Sequence, residues 1–211
     1  MPEMVELVVY VLDELDDEAK TRARDWYREG ALDYDWYDFV YQDFETVCEM
    51  IGVTLKTSTV RLMGGGTRQK PNVYFHGFSS QGDGACFEGY YSYKKQAAKA
   101  VRSYAPDDVA LHQIADTLAS TQRANFYQLT AERRHRGHYY HEYCMTVDVD
   151  RADQDPTNDA DEHVREALRD LARWLYAKLE AEYDYLNSDE SVDQMIESNG
   201  YRFTAAGAFY A

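Results

Sequence analysis

The chain has 211 residues, 45% of them hydrophobic, and a formal net charge of −16. Such a length fits one domain or at most two, and the apolar content suffices for a core, which excludes an acidic disordered chain. The charge argues against a binder of free nucleic acid, and the lack of an 18-residue apolar run argues against a membrane span.

Residues 5–11 (VELVVYV) read as a buried strand. Asp16, Asp17 and Glu18 then mark a helix start, with Asp16 as cap and the helix stopping at Gly30. Its apolar face is Ala19, Ala23, Trp26 and Tyr27. A second helix begins near Asp33 or Asp35 and ends at Gly52. Trp36, Val40, Phe44, Val47 and Ile51 follow helical spacing on it. Its other faces carry Asp35, Asp38, Asp43, Glu45 and Glu49, and residues 29–55 contain no Lys or Arg at all. A surface helix usually mixes signs, because like charges one turn apart destabilise it.

Residues 53–63 alternate and are β-branched, which predicts a strand. A basic, glycine-rich loop follows. Residues 72–93 contain two β-like runs, 73–76 and 86–93, around Gly82, Asp83 and Gly84, and predict a central hairpin with a shaped loop. Residues 94–104 predict a short basic helix. Pro106 starts another, with Val109, Leu111, Ile114, Ala115 and Leu118 inward. A second hairpin is expected from 126–133 and 138–149, turning at Arg134, His135, Arg136 and Gly137. Residues 151–158 read as a short acidic connector. A long helix over about 159–186 buries Val164, Leu168, Leu171, Leu175, Leu179 and Leu186. Ser188 caps a last helix ending at Gly200, and residues 201–203 reach a sheet edge. The sum is a single α+β domain over 1–211. Its mostly antiparallel sheet of five to seven strands is covered by N- and C-terminal helices.

Charge is unevenly spread. Residues 1–50 balance at −11, residues 51–149 at +4 and residues 150–211 at −9. Such asymmetry reports on partners rather than fold. Three widely spaced cysteines, Cys48, Cys86 and Cys144, predict reduced thiols in a cytoplasmic compartment, and residues 1–20, without a basic flank or a signal-type apolar core, lead to the expectation of no export signal.

Each candidate site has a plain structural reading beside the functional one. Cys86 with His76 could form a nucleophile and base, or Cys86 could simply be a small buried residue. Asp83 between two glycines could meet a metal or phosphate, or could serve turn chemistry. His135, His138 and His141 with Glu142 could bind a metal, but 138 and 141 point to opposite faces of a strand. Arg133, Arg134 and Arg136 form a basic patch or a solvated turn. The acidic helix carries the strongest signal. Acids on consecutive turns are spaced about 6 Å along the axis, so such a row can occupy a nucleic-acid-binding groove on another protein.

Three segments, residues 12–30 (LDELDDEAKTRARDWYREG), 75–93 (FHGFSSQGDGACFEGYYSY) and 179–207 (LEAEYDYLNSDESVDQMIESNGYRFTAAG), resemble a family of uncharacterised phage and prophage accessory proteins, some labelled antitoxin-like. The resemblance implies a host-directed binding protein, a class that includes anti-CRISPR proteins, and supplies no catalytic residues. The expected function is therefore an acidic, non-enzymatic inhibitor of a bacterial defence complex such as a CRISPR effector. It would bind a basic nucleic-acid-binding surface without contacting nucleic acid or membrane itself, and without cofactor or metal. The residues expected to make the contact are Asp35, Asp38, Asp43, Glu45 and Glu49, with Asp184, Asp189 and Glu190 second. Two alternatives remain open: an antitoxin for a cognate toxin, and a small enzyme centred on the Gly82–Gly84 loop and Cys86. The 19 tyrosines would suit a partner interface or a homodimer face equally well.

Overall fold

The structure is a computed structural model that describes residues 7–152, 154–157 and 159–210. In chain order it comprises α1 (Asp17–Ala31), α2 (Asp38–Ile51), β1 (Val53–Leu55), β2 (Thr57–Arg61), β3 (Thr67–Pro71), β4 (Val73–His76), β5 (Gly84–Phe87) and β6 (Gly89–Ser92). There follow α3 (Ala97–Tyr104), α4 (Val109–Ala124), β7 (Leu129–His135), β8 (Met145–Arg151), α5 (Ala160–Asn187), α6 (Asp189–Ser198), β9 (Arg202–Phe203) and β10 (Phe209–Tyr210). Two single 3-10 turns, Leu12–Glu14 and Glu142–Cys144, complete it. The class is α+β, with every named strand pair antiparallel. The strands form one four-stranded sheet, ordered β1-β6-β7-β8, and the ribbons β2-β3, β4-β5 and β9-β10. The chain divides into two compact units. One contains the described residues up to Asp38 and from Ala181 onward, and the other is Phe39–Glu180. Among the described residues, no helix is long and apolar enough to cross a membrane.

In the terminal unit, helix starts follow the capping residues. Asp16 Oδ1 accepts from the Ala19 N–H at 2.8 Å, and Ser188 Oγ accepts from the Ser191 N–H at 3.2 Å. The small residues Ala19 and Ala23 of α1 are fully buried among Leu12, Leu15, Val192, Ile196 and Phe203. Trp26 lies flat on Phe209 at 4.0 Å and meets Tyr201 edge-on at 5.4 Å. Of the strand expected over residues 5–11, positions 5 and 6 lie outside the described residues. Among the rest only Tyr10 pairs, exchanging two hydrogen bonds with Phe203. The reason is length: β9 has two residues and is already paired with β10, so it offers little edge.

In the central unit three extended stretches bend at one residue each: Lys56 between β1 and β2, Asn72 between β3 and β4, and Glu88 between β5 and β6. The Lys56 N–H donates to the Glu88 carbonyl (2.9 Å), the Glu88 N–H to the Asn72 carbonyl (2.9 Å), and the Asn72 N–H to the Lys56 carbonyl (2.8 Å). These three bonds close a ring, from which the pairs β1/β6, β2/β3 and β4/β5 radiate. The strand expected over 53–63 is therefore two strands, because the chain changes partner at Lys56. Side chains reinforce the ring. Asn72 Nδ2 donates to Glu88 Oε2 (2.7 Å), Ser58 Oγ donates to Asn72 Oδ1 (2.6 Å), and Glu88 Oε1 accepts from the His135 N–H (3.1 Å).

Helix α2 buries Tyr41, Phe44, Val47, Cys48 and Ile51. Trp36 precedes the helix and Val40 is only half-buried, so the inward stripe is shifted toward Tyr41 and Cys48 relative to the expected one. Phe44 meets Phe87 edge-to-face at 5.0 Å. Burial of each such ring contributes roughly 2–3 kcal/mol. Asp108 caps α4 through the Leu111 N–H (3.0 Å) and also accepts from Trp174 Nε1 and Lys178 Nζ on α5 (2.9 Å each). The second hairpin has shorter strands and a longer connection than expected. β7 continues to His135, which pairs with Met145, and residues 136–144 form the connection. The tyrosine-rich run does not continue the ladder; part of it packs against the Gly82–Gly84 loop instead.

Candidate functional site

The acidic residues singled out in the sequence occupy different positions. On α2, Asp38, Glu45 and Glu49 recur at helical spacing, with Gln42 between them, and so share one stripe. From Asp38 to Glu49 that stripe spans about 16 Å, at roughly 1.5 Å per residue. Phe39, 80% exposed, stands beside it. Asp43 lies on another side of the helix and accepts a hydrogen bond from the Tyr104 hydroxyl of α3. Asp35 sits ahead of the helix and accepts from the Tyr37 hydroxyl at 2.8 Å. Asp184 and Glu190, in the terminal unit, are exposed. Asp189 is committed to the fold: Arg28 reaches it at 2.5 Å and Arg24 at 2.9 Å, and the Arg28 hydrogen bond foremost holds its carboxyl below the usual range.

Pairing separates the acids on and just before α2 from a minority of the others. Arginine or lysine neutralises Glu18, Asp25, Asp108, Asp116, Glu132, Glu142, Asp161, Glu166, Asp170 and Asp193. Among the described residues no ion pair reaches Asp35, Asp38, Asp43, Glu45 or Glu49. Burial, and then the charge of Glu49, raise the pKa of Glu45, while Arg68 pulls in the opposite direction.

Beside the stripe lies a cavity of about 430 Å³. Glu45, Glu49 and Lys94 line it together with Cys48, Val53 and Tyr93. A second depression of about 420 Å³ shares Glu49 and Lys94 and continues over Lys95 and Lys99. The sequence reading missed both, because Lys94 meets the C-terminal half of α2 only through the fold.

Arg133 corrects the expected basic patch. The alternation of β7 turns Leu129, Ala131 and Arg133 inward, so Arg133 is fully buried. Its guanidinium lies 3.9 Å over the Phe87 ring, and none of its nitrogens has a hydrogen-bond partner among the described residues. Burial lowers its pKa to about 9, partly opposed by Cys48. Arg134 points outward and pairs with Glu132, whose carboxyl is lowered to about 2 by Arg134 first, then Lys56 and Tyr90.

The glycine loop is organised by Asp83. Its carboxylate accepts from the Ser79 and Ser80 N–H groups (2.8 and 2.6 Å) and contacts His76 Nδ1 at 3.0 Å, interactions that lower its pKa, His76 foremost. His76 is thus turned to Asp83, while Cys86 is buried on β5. The histidine rings take separate partners: His135 Nε2 contacts the Tyr139 carbonyl at 2.9 Å, and His141 Nε2 contacts Cys144. No group of three or more His, Cys, Asp or Glu able to hold a metal occurs among the described residues.

Fold and site together define an α+β protein with an acidic helix face that no ion pair among the described residues neutralises. The chain belongs to the DUF8835 family, described as a domain of unknown function, whose profile matches residues 36–189. No curated protein and no solved structure matches it significantly.

Proposed function

We propose that the protein acts by binding, and that the acidic face of α2 docks on a basic, nucleic-acid-binding surface of another protein in place of nucleic acid. The observation that carries this reading is that Asp38, Glu45 and Glu49 share one stripe of a helix and, among the described residues, have no cation within ion-pair distance, so that Glu45 and Glu49 repel each other. A cationic partner relieves the repulsion between Glu45 and Glu49, and Phe39 supplies an apolar anchor beside the charges. The resemblance to phage accessory proteins directs the choice of target to a bacterial defence complex, a CRISPR effector being the first to try.

The test is capture on the tagged protein from a CRISPR-bearing lysate, at low and high salt and with added duplex DNA. One nucleic-acid-binding complex is expected at low salt, released both by salt and by DNA. Reversal of the stripe (Asp38→Lys, Glu45→Lys, Glu49→Lys) should weaken that binding about tenfold or more. A captured complex that the folded triple variant retains equally well overturns the reading.

A further inference from the structure

A second feature, independent of the acidic face, centres on Cys144. Residues 139–145 run alongside residues 82–87 in the same direction. The Tyr139 ring stands 2.9 Å from where a Cβ on Gly82 would lie, and His141 is 2.6 Å from the equivalent position on Gly84. Farther along, the Phe87 N–H donates to Met145 Sδ at 3.3 Å. The two glycines thus let one backbone settle onto the other, and Gly82 also takes a φ of +97°. Cys86 lies between the Gly84 and Phe87 contacts and shares the strand face of Gly84, the face that His141 approaches, close enough for the charge of Cys144 to act on it. Burial raises the Cys86 thiol to about 12, and the neighbouring Cys144 adds to the effect. Cys86 is buried and Cys144 half-buried.

His141 completes the group. Its Nε2 is 3.3 Å from Cys144 Sγ. The Tyr143 N–H donates to its Nδ1 at 3.2 Å, so the neutral ring carries its proton on Nε2 and offers it to the sulfur. Arg173 steadies this turn from α5, donating to Glu142 Oε1 at 3.1 Å and to the Tyr143 hydroxyl at 3.4 Å.

We propose that Cys144 and Cys86 form a redox-responsive thiol pair, in which Cys144, hydrogen-bonded by His141, is oxidised by a hydroperoxide and Cys86 then closes a disulfide with it. In the first step the Cys144 sulfur, having lost its proton, attacks the peroxide. An S–O bond forms, the O–O bond breaks, and the departing alkoxide or hydroxide takes a proton. Sulfur is oxidised to the sulfenic acid and the peroxide is reduced. In the second step the Cys86 sulfur displaces the sulfenic oxygen and gives up its own proton. An S–S bond forms, the S–O bond breaks, and water leaves. Burial keeps Cys86 protonated and out of reach of external reagents until Cys144 is oxidised. Cys48, buried on α2, takes no part.

The test uses the reduced full-length protein, stoichiometric hydrogen peroxide, alkylation and peptide mapping by mass. A Cys86–Cys144 linked peptide is expected, with Cys48 recovered as a free thiol. Cys144→Ser should leave both remaining thiols free. Cys86→Ala should leave a sulfenic acid on Cys144 that a dimedone-type reagent traps. His141→Gln should slow oxidation about tenfold or more, the effect of losing a hydrogen bond to a charged acceptor. Cys86 and Cys144 both alkylated after peroxide, or a disulfide that includes Cys48, overturns the proposal. An oxidation rate unchanged in His141→Gln overturns the part assigned to the histidine.

Discussion

Arg133 is the side chain most at odds with its surroundings. Its pKa of about 9 still lies above neutrality, so the guanidinium is charged in the folded protein at pH 7. The unfolded chain holds that proton more tightly than the folded one. Stability therefore rises with pH between about 9 and the ordinary value of 12.5, and near neutrality the buried charge costs stability. Stacking on Phe87 offsets part of that cost. Arg133→Met keeps the length and removes the charge, and should be neutral or stabilising by about 1–4 kcal/mol at pH 7 in denaturant unfolding. A clear loss of stability in that variant would mean that Arg133 has a partner. The burial was legible in principle, since Leu129, Ala131 and Arg133 share the parity of one strand face. The caps at Asp16 and Ser188 were legible too, because capping is local. The pairing of Asp189 with Arg24 and Arg28 was not, because more than 160 residues separate the partners.

At the scale of elements, the helices followed from spacing and caps, and their ends differ from expectation by a few residues. The bends at Lys56, Asn72 and Glu88 left no local trace, because each is defined by hydrogen bonds to the other two stretches. A β-branched run such as residues 53–63 looks the same whether it keeps one partner or changes partner midway. Of the two readings the glycine loop allows, Gly82, with its positive φ, fits turn chemistry. Gly84 begins β5, and its missing Cβ makes room for His141, a contact between distant segments. Asn72 ties the ring together from its side chain, donating to Glu88 and accepting from Ser58. Asn72→Ala removes both bonds and should cost about 1–3 kcal/mol. A chemical denaturation curve shifted in midpoint with unchanged slope would confirm it.

For the molecule as a whole, charge acts in two opposite senses. A net −16 repels itself, and salt screens that repulsion. Raising ionic strength from 0.01 to 0.15 M shortens the screening length from about 30 Å to about 8 Å. Thermal stability of the free protein should rise over that range, while binding of a basic partner to α2 falls. A melting temperature that drops with salt would show that the surface ion pairs outweigh the net repulsion. The acidic bias of the terminal thirds was plain from the sequence. Which acids remain unneutralised was not, because it depends on where the arginines come to rest.

The ring at Lys56, Asn72 and Glu88 also constrains how the chain matures during synthesis. When residue 72 has left the ribosome, only the β2/β3 ribbon can form, and a lone two-stranded ribbon is marginal in water. β1 must wait for β6, and β4 for β5. Every pair that stabilises the ribbon is thus supplied by residues 84–92, so a nascent chain paused between Asn72 and Glu88 holds two unmatched strand edges. A slow stretch of translation there would expose the growing polypeptide to chaperones or proteases at its most vulnerable point.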